Sequence, residues 1–221
     1  MLNKITIFFI VLFCFHLKVL AQESYVVSGV VKDKAEVLPG ASVYVSGYKI
    51  ATVTDGEGKF ILPKLAPGNY DILVQMIGYN PTSKNITISN KSVQTTIILT
   101  ENTTLLQAVE IKPDPNRAYY TSLFKDYFIG MSPNSAQCKI INTEVLSFDD
   151  DKVNRLLTIT ANDFLIIENE ALGYRLKYLL NSFEYDYKTK IVYYSGYPYF
   201  EELKGNKAKL KKYAKNREIA Y

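Results

Sequence analysis

The sequence predicts a mainly β protein: a seven-stranded β-sandwich followed by an α+β region. Three observations carry that prediction. Between residues 29 and 81, short β-branched and aromatic runs alternate apolar with polar positions, and Gly, Pro, Asn and Asp turn signals interrupt them about every ten residues. From residue 115 the apolar period becomes helical, and it then returns to long alternating runs. Hydrophobic residues make up 48% of the chain and charged residues 22%, enough apolar surface for packed cores and too much for disorder to be the default.

The first element is a leader. Lys4 precedes an apolar run over residues 5–15, and Val19-Leu20-Ala21 offers acceptable residues at the −3 and −1 positions of a cleavage site. Residues 1–21 are therefore expected to be a secretory signal peptide, cut after Ala21. The run is shorter than the roughly 20 residues that span a bilayer, and His16 and Lys18 interrupt it. Cys14 follows Phe13 rather than a small residue, and Gln22 follows Ala21, so the pattern is not that of a lipoprotein. Cleavage would remove Cys14 and the sole histidine, His16. One cysteine would remain, Cys138, which excludes a disulfide within the mature chain and suits a buried, free thiol.

Seven strands are expected next, over residues 24–31, 41–45, 50–54, 59–62, 69–76, 83–88 and 93–99. Leu38-Pro39-Gly40, Asp55-Gly56-Glu57-Gly58 and Pro67-Gly68 mark turns between them. In the fifth, Tyr70, Ile72, Val74 and Met76 fall on one face. Strands of this length and spacing argue a sandwich.

Gly29-x-Val31, Leu38-Pro39-Gly40-Ala41-x-Val43, Thr54-Asp55-x-x-Gly58-x-Phe60, Pro67-Gly68-x-Tyr70 and Ile77-Gly78-Tyr79 together resemble the carboxypeptidase-like regulatory domain. The resemblance implies a transthyretin-like sandwich over residues 22–111 of an exported protein. It also implies a place in the Gram-negative envelope, in the periplasm or at the outer membrane and cell surface. Similar domains form the N-terminal extension of TonB-dependent outer-membrane receptors. Each signature residue has a structural reading. Gly29, Pro39, Gly40, Gly58, Gly68 and Gly78 serve turns and close approaches. Phe60, Tyr70 and Tyr79 fill or close the core, and Asp55 caps its turn. The Asp55–Glu57 run lacks the spaced oxygen ligands of a calcium loop.

The family name does not bring peptidase chemistry with it. Zinc peptidases need histidine ligands, and Ser-His-Asp and Cys-His nucleophiles need a histidine base. The mature chain would have none. No Gly-rich phosphate loop opens a helix, so no cofactor is expected. Asp149-Asp150-Asp151 reads as a solvated loop tip.

Residues 105–111 suggest one more short strand, and Lys112-Pro113-Asp114-Pro115 marks a boundary. The α+β region, 112–221, should begin with a helix over residues 115–131, capped by Asp114, with Tyr120, Phe124, Tyr127, Phe128 and Met131 on one face. Residues 139–148 and 154–161 suggest a hairpin, 164–168 a short strand, and 173–187 with 190–200 a long Tyr-rich hairpin. Asn206 should cap a basic final helix with Leu210, Tyr213 and Ala214 as its apolar stripe. The helical pattern runs to Tyr221 without a stop signal, which leaves open a natural chain that continues.

These features predict a non-catalytic exported protein whose sandwich scaffolds or docks while the second region contacts a partner. That partner would be an envelope protein or a glycan, not nucleic acid, and peripheral membrane association is compatible with the basic tail. The alternative is a glycan- or peptide-binding surface protein using Tyr193, Tyr194, Tyr197 and Tyr199. A third reading is a fragment of a transport-associated receptor.

Overall fold

A computed structural model describes residues 23–102 and 114–220. The expected signal peptide and the expected strand over 105–111 lie outside them. The first unit contains β1 (Val27–Lys32), β2 (Ser42–Val45), β3 (Ala51–Val53), β4 (Lys59–Ile61), β5 (Gly68–Gln75), β6 (Tyr79–Asn80), β7 (Thr82–Ile88), β8 (Val93–Ile98) and β9 (Thr100–Glu101). Seven of these strands form two sheets, ordered β4-β1-β8 and β3-β2-β5-β7, and the short β6 and β9 pair with each other. The seven-stranded sandwich is as the sequence predicts.

The alternation of each strand decides what lies between the sheets. Val27 and Val31 of β1, Val43 and Val45 of β2, Tyr70, Ile72 and Val74 of β5, and Ile86 and Ile88 of β7 all point into one core with Phe60 and Ile97. Met76 packs partly buried against it. Each such fully buried aliphatic side chain contributes on the order of 1.5–3 kcal/mol relative to exposure. β1 pairs antiparallel with β4 and parallel with β8, in register from Val27↔Val93 to Lys32↔Ile98.

The second unit contains α1 (Arg117–Phe128), β10 (Cys138–Ile140), β11 (Leu146–Asp151), β12 (Leu156–Ala161), β13 (Leu165–Asn169), β14 (Tyr174–Asp186), β15 (Val192–Glu202) and α2 (Lys207–Ala220). Its six strands form one sheet around β14. β13 pairs with the first part of β14, β12 with its last part, and β15 runs along the other side from Tyr174↔Glu202 to Tyr185↔Val192. A register shift between Leu180 and Ser182 keeps Tyr178, Leu180, Phe183 and Tyr185 on one face. That face packs beneath Tyr120, Leu123 and Phe124 of α1.

Several expectations need correction. Asn116, not Asp114, occupies the N-cap of α1 and makes no side-chain cap bond. Asp114 instead accepts from Asn116 N–H (2.8 Å) one turn earlier. Met131 is exposed, because α1 ends at Phe128 and the chain turns away at Gly130 (φ +87°), while Tyr127 sits at the rim of the face, 45% exposed with its ring 4.9 Å from that of Tyr185. The stretch 139–148 is not one strand. Asn142 donates to Phe164 O (2.8 Å) and accepts from Ile166 N–H (2.7 Å), so β10 joins β13 while only β11 pairs with β12. Asp149, Asp150 and Asp151 are not a loop tip. They end β11, and strand alternation drives Asp150 under α1 beside Tyr120. In α2, Asn206 does cap, accepting from Lys209 N–H (2.9 Å), but of the expected stripe only Tyr213 is buried.

Candidate docking surface

The two units are joined by more than a linker. Tyr44 of β2 and Leu73 of β5 point away from the sandwich core, yet both are buried, in a separate apolar cluster with Phe164, Leu179 and Tyr199. The Tyr44 ring lies 4.5 Å from that of Tyr199 and 6.0 Å from that of Phe164, centroid to centroid. Polar contacts frame this patch. Lys177 Nζ sits 5.0 Å above the Tyr44 ring and bridges Glu201 (2.9 Å) and Tyr44 Oη (3.3 Å). Burial pushes the Lys177 ammonium down, and Glu201 with Tyr44 more than offsets it, leaving its pKa raised. Gln75 donates to Asp163 (2.7 Å), and Lys49 pairs with Glu202 (2.5 Å). At Pro198, whose carbonyl faces away from β14, Gly47 N–H (2.8 Å) and Ser46 Oγ (3.1 Å) both donate. The β2–β3 turn thereby covers one end of the exposed edge of β15.

The candidate tyrosines are split by this packing. Tyr199 is 6% exposed and belongs to the joint between the units, and Tyr197 is half-buried against the same cluster. The expectation of a ligand surface at Tyr199 is therefore corrected: an odd-numbered position on β15 faces the sandwich. Tyr193 and Tyr194 are 66% and 55% exposed. Being consecutive in a strand, they leave opposite faces of the sheet, and Tyr194 packs edge-on to Phe128 at 5.1 Å. The four do not form one platform.

The signature residues build the sandwich, and Gly29, Asp55 and Phe60 also line the groove on its outer sheet. Gly29 faces the core, where a Cβ would meet Thr95 O at 2.2 Å and the Phe60 ring at 2.8 Å. Gly58 (φ +70°) lets the chain pass Val31 O, which a Cβ would meet at 2.7 Å. Thr54 Oγ1 accepts from Ala41 N–H (2.8 Å) and donates to Leu38 O (2.6 Å), tying the turn that contains Pro39 and Gly40. Asp55 accepts from Glu57 and Lys59 N–H (both 2.9 Å). Tyr70 donates to Ala66 O (2.9 Å), close to Gly68. Tyr79, after Gly78, donates to Asp33 (2.9 Å). Backbone N–H groups of Glu36 and Ala35, then that phenol, hold Asp33 below the usual carboxylate range.

The sheet β4-β1-β8 is different, because among the described residues none of the second unit packs against it. With the adjoining β3 it forms an open groove of about 780 Å³, lined by Ser28, Val30, Val53, Ile61, Gln94 and Thr96 among others. Val53 is 58% and Ile61 67% exposed, and Ile98 stands on the same face. Such apolar surface on an otherwise polar sheet face suits a partner better than water.

One polar centre lies beneath α1. Asp150 accepts from Tyr120 (2.6 Å) and pairs with Lys152, while Asp150 Oδ1 and Tyr187 Oη are buried with no hydrogen-bond partner among the described residues. Burial pushes the Asp150 carboxyl up, but Lys152 and Tyr120 win and hold it below its usual value. Burial, with the Asp150 charge, pushes Tyr187 up to about 12. No local pattern in the sequence marks this centre, since Tyr120 and Asp150 stand 30 residues apart. Cys138 is buried and free, and burial pushes its thiol up, away from reactivity. Among the described residues, no group of three or more His, Cys, Asp or Glu could hold a metal ion, and no helix is long and apolar enough to cross a membrane.

The family match agrees with the fold of the first unit. Residues 27–111 match the CarboxypepD_reg-like domain family, a regulatory rather than a catalytic carboxypeptidase-like domain. No curated protein matches the chain. Solved structures similar to it include a type II cohesin-X-dockerin complex from Acetivibrio cellulolyticus, at 22% identity over 35% of this chain and 58% of that one, TM-score 0.31. They also include catechol 1,2-dioxygenase from Acinetobacter radioresistens, at 11% identity over 42% and 56%, TM-score 0.33. A third is a DUF3823 family protein from Parabacteroides merdae, at 11% identity over 89% and 84%, TM-score 0.29. This chain thus spans less than two thirds of the first two.

Proposed function

We propose that this chain, whose residues 27–111 match the CarboxypepD_reg-like domain family, is a non-catalytic docking protein of a Gram-negative envelope. The observation that carries the reading is the one-sided cover of the sandwich. One sheet is committed to the chain's own second unit through Tyr44 and Leu73, while the other presents the groove containing Val53 and Ile61. The electrostatics support a structural use of the ionised groups. The carboxylates of Asp151 and Asp186 are held low chiefly by turn N–H groups, of Asn154 and Thr189 respectively. Their charge is spent on capping rather than on acid–base work.

The proposed partner is an envelope polypeptide lying across the uncovered sheet. The test is site-specific photo-crosslinking in an exporting Gram-negative host, with the probe at Ile61 and a control at exposed Lys91. A discrete protein adduct from position 61 alone is expected; no adduct there, or the same adducts from both positions, overturns the docking role. Turnover of peptidase, esterase or glycosidase substrates that a single substitution abolishes would overturn the non-catalytic one.

A second reading, glycan or peptide binding by the Tyr-rich hairpin, is favoured only by the exposure of Tyr193 and Tyr194. Calorimetry against a glycan panel, with the Tyr193→Ala/Tyr194→Ala variant as control, decides it.

A further inference from the structure

We infer that α2 is an electrostatic foot that seats the protein on an anionic lipid surface. The argument starts with where the charge lies. Residues 204–220 hold seven of the chain's 26 basic residues and one of its 22 acidic ones. That local charge of +6 exceeds the +4 of the whole chain, so the remainder is slightly acidic. The basic residues in α2 fall into two groups. Lys209 and Arg217 turn inward: Lys209 pairs with Glu170 (3.1 Å), and Arg217 pairs with Glu202 (3.2 Å) and donates to Leu172 O (2.7 Å) and Gly173 O (3.2 Å). With Tyr213, and with Asn216 on Ala171 O (2.7 Å), they fix one side of the helix to the 169–174 turn.

The opposite side is free. Lys207, Lys211 and Lys215 recur every four residues, so they form one straight stripe about 12 Å long, with Lys212 beside it. All four are exposed and enter no ion pair among the described residues. Like charges at that spacing weaken a helix, and among its described side chains this helix buries one apolar group, Tyr213, so packing alone does not account for the stripe. An anionic surface would convert the repulsion into attraction.

The chemistry favours a lipid surface over a compact acidic ligand. The stripe is convex and built wholly of lysine, a flexible point charge suited to a diffuse sheet of phosphates. The forked guanidinium of Arg217, which would serve bidentate recognition, is committed to backbone carbonyls instead. Leu210 and Ile219 stand exposed on either flank of the stripe, where the interfacial region of a bilayer would take them. This inference does not depend on what occupies the uncovered sheet of the sandwich.

The test is co-sedimentation of the exported chain with phosphatidylcholine vesicles, with and without about 30% phosphatidylglycerol. Binding to the anionic vesicles alone is expected, and it should be lost near 0.5 M salt, where screening shortens to a few ångströms (roughly 4 Å). The variant Lys207→Gln/Lys211→Gln/Lys215→Gln should partition about 100-fold less, at about fivefold per lysine, with unchanged helical circular dichroism. Lys64→Gln/Lys84→Gln/Lys91→Gln, on the sandwich, should bind as the parent chain does. Absence of binding, equal binding to neutral vesicles, or full binding by the α2 variant overturns the inference. So does preference for a soluble sulfated polysaccharide that the vesicles cannot displace.

Discussion

Gly173→Ala tests how α2 is held, and its outcome can be worked out from the contacts. Gly173 has φ +70°, and a Cβ there would sit 2.2 Å from Tyr213 Cδ2, 2.3 Å from Cγ and 2.6 Å from Cε2. The Tyr213 ring lies flat on the glycine and cannot stay. The left-handed backbone costs an L-residue about 1–2 kcal/mol. Expelling the ring forfeits about 2 kcal/mol of burial, and its 3.1 Å bond to Glu170 adds about 1 kcal/mol more. Docking of α2 should therefore weaken by about 4 kcal/mol, close to a thousandfold. Tyr213 is the only buried side chain of α2 among its described side chains, and a free 14-residue helix bearing a lysine stripe does not persist in water. Hydrogen exchange should show the amides of residues 210–219 losing protection while those of β1 and β5 keep theirs. Tyr213→Ala should reproduce the loss without touching the Gly173 backbone. Retention of parent-like protection in Gly173→Ala would refute the account of a ring seated on a glycine.

Three further outcomes follow from the packing. Leu73→Ala, at a side chain with no accessible surface between the units, should cost about 3 kcal/mol in chemical denaturation. Ile61→Ala, on the uncovered sheet, should cost less than about 0.5 kcal/mol; equal costs would contradict one-sided cover. Asp150 has a folded pKa below its ordinary value, so its contribution is present above the unfolded pKa and disappears as pH falls through the folded one. Asp150→Asn should flatten the acid limb of the stability curve below about pH 4, and Tyr120→Phe should shrink it. Tyr187 has the opposite sign: its raised pKa of about 12 supports the fold fully below the ordinary value of 10.0 and fails as pH rises through 12. Tyr187→Phe also deletes a buried hydroxyl that has no partner among the described residues, so it should be neutral or stabilising by about 1 kcal/mol at pH 7. A loss of more than that would mean the hydroxyl has a partner.

What the sequence disclosed and what it hid follow from one distinction. The sandwich strands were legible because their signals are local: a two-residue period broken by Gly, Pro and Asp turns. The joint between the units left a fainter trace. Ile72-Leu73-Val74 is an unbroken apolar triplet inside an alternating strand, and only burial on both faces explains it. The tyrosines of β14 and β15 could not be sorted from composition, because exposure depends on which face the sandwich covers. Tyr193 and Tyr199 leave the same side of β15, and only the second is covered. Asp150 hides for a related reason. An acidic triplet looks solvated until strand pairing fixes which of the three turns inward, and Asp150↔Leu157 is a pairing between strands.

The parallel pairing of β1 with β8 bears on how the sandwich would carry load. The two strands run side by side in the same direction over six paired positions. A pull applied to the start of β1 and the end of β8 drags them past each other lengthwise, so their hydrogen bonds are strained together instead of opening one at a time like a zip. A tether to this domain's two ends would meet its stiffest axis.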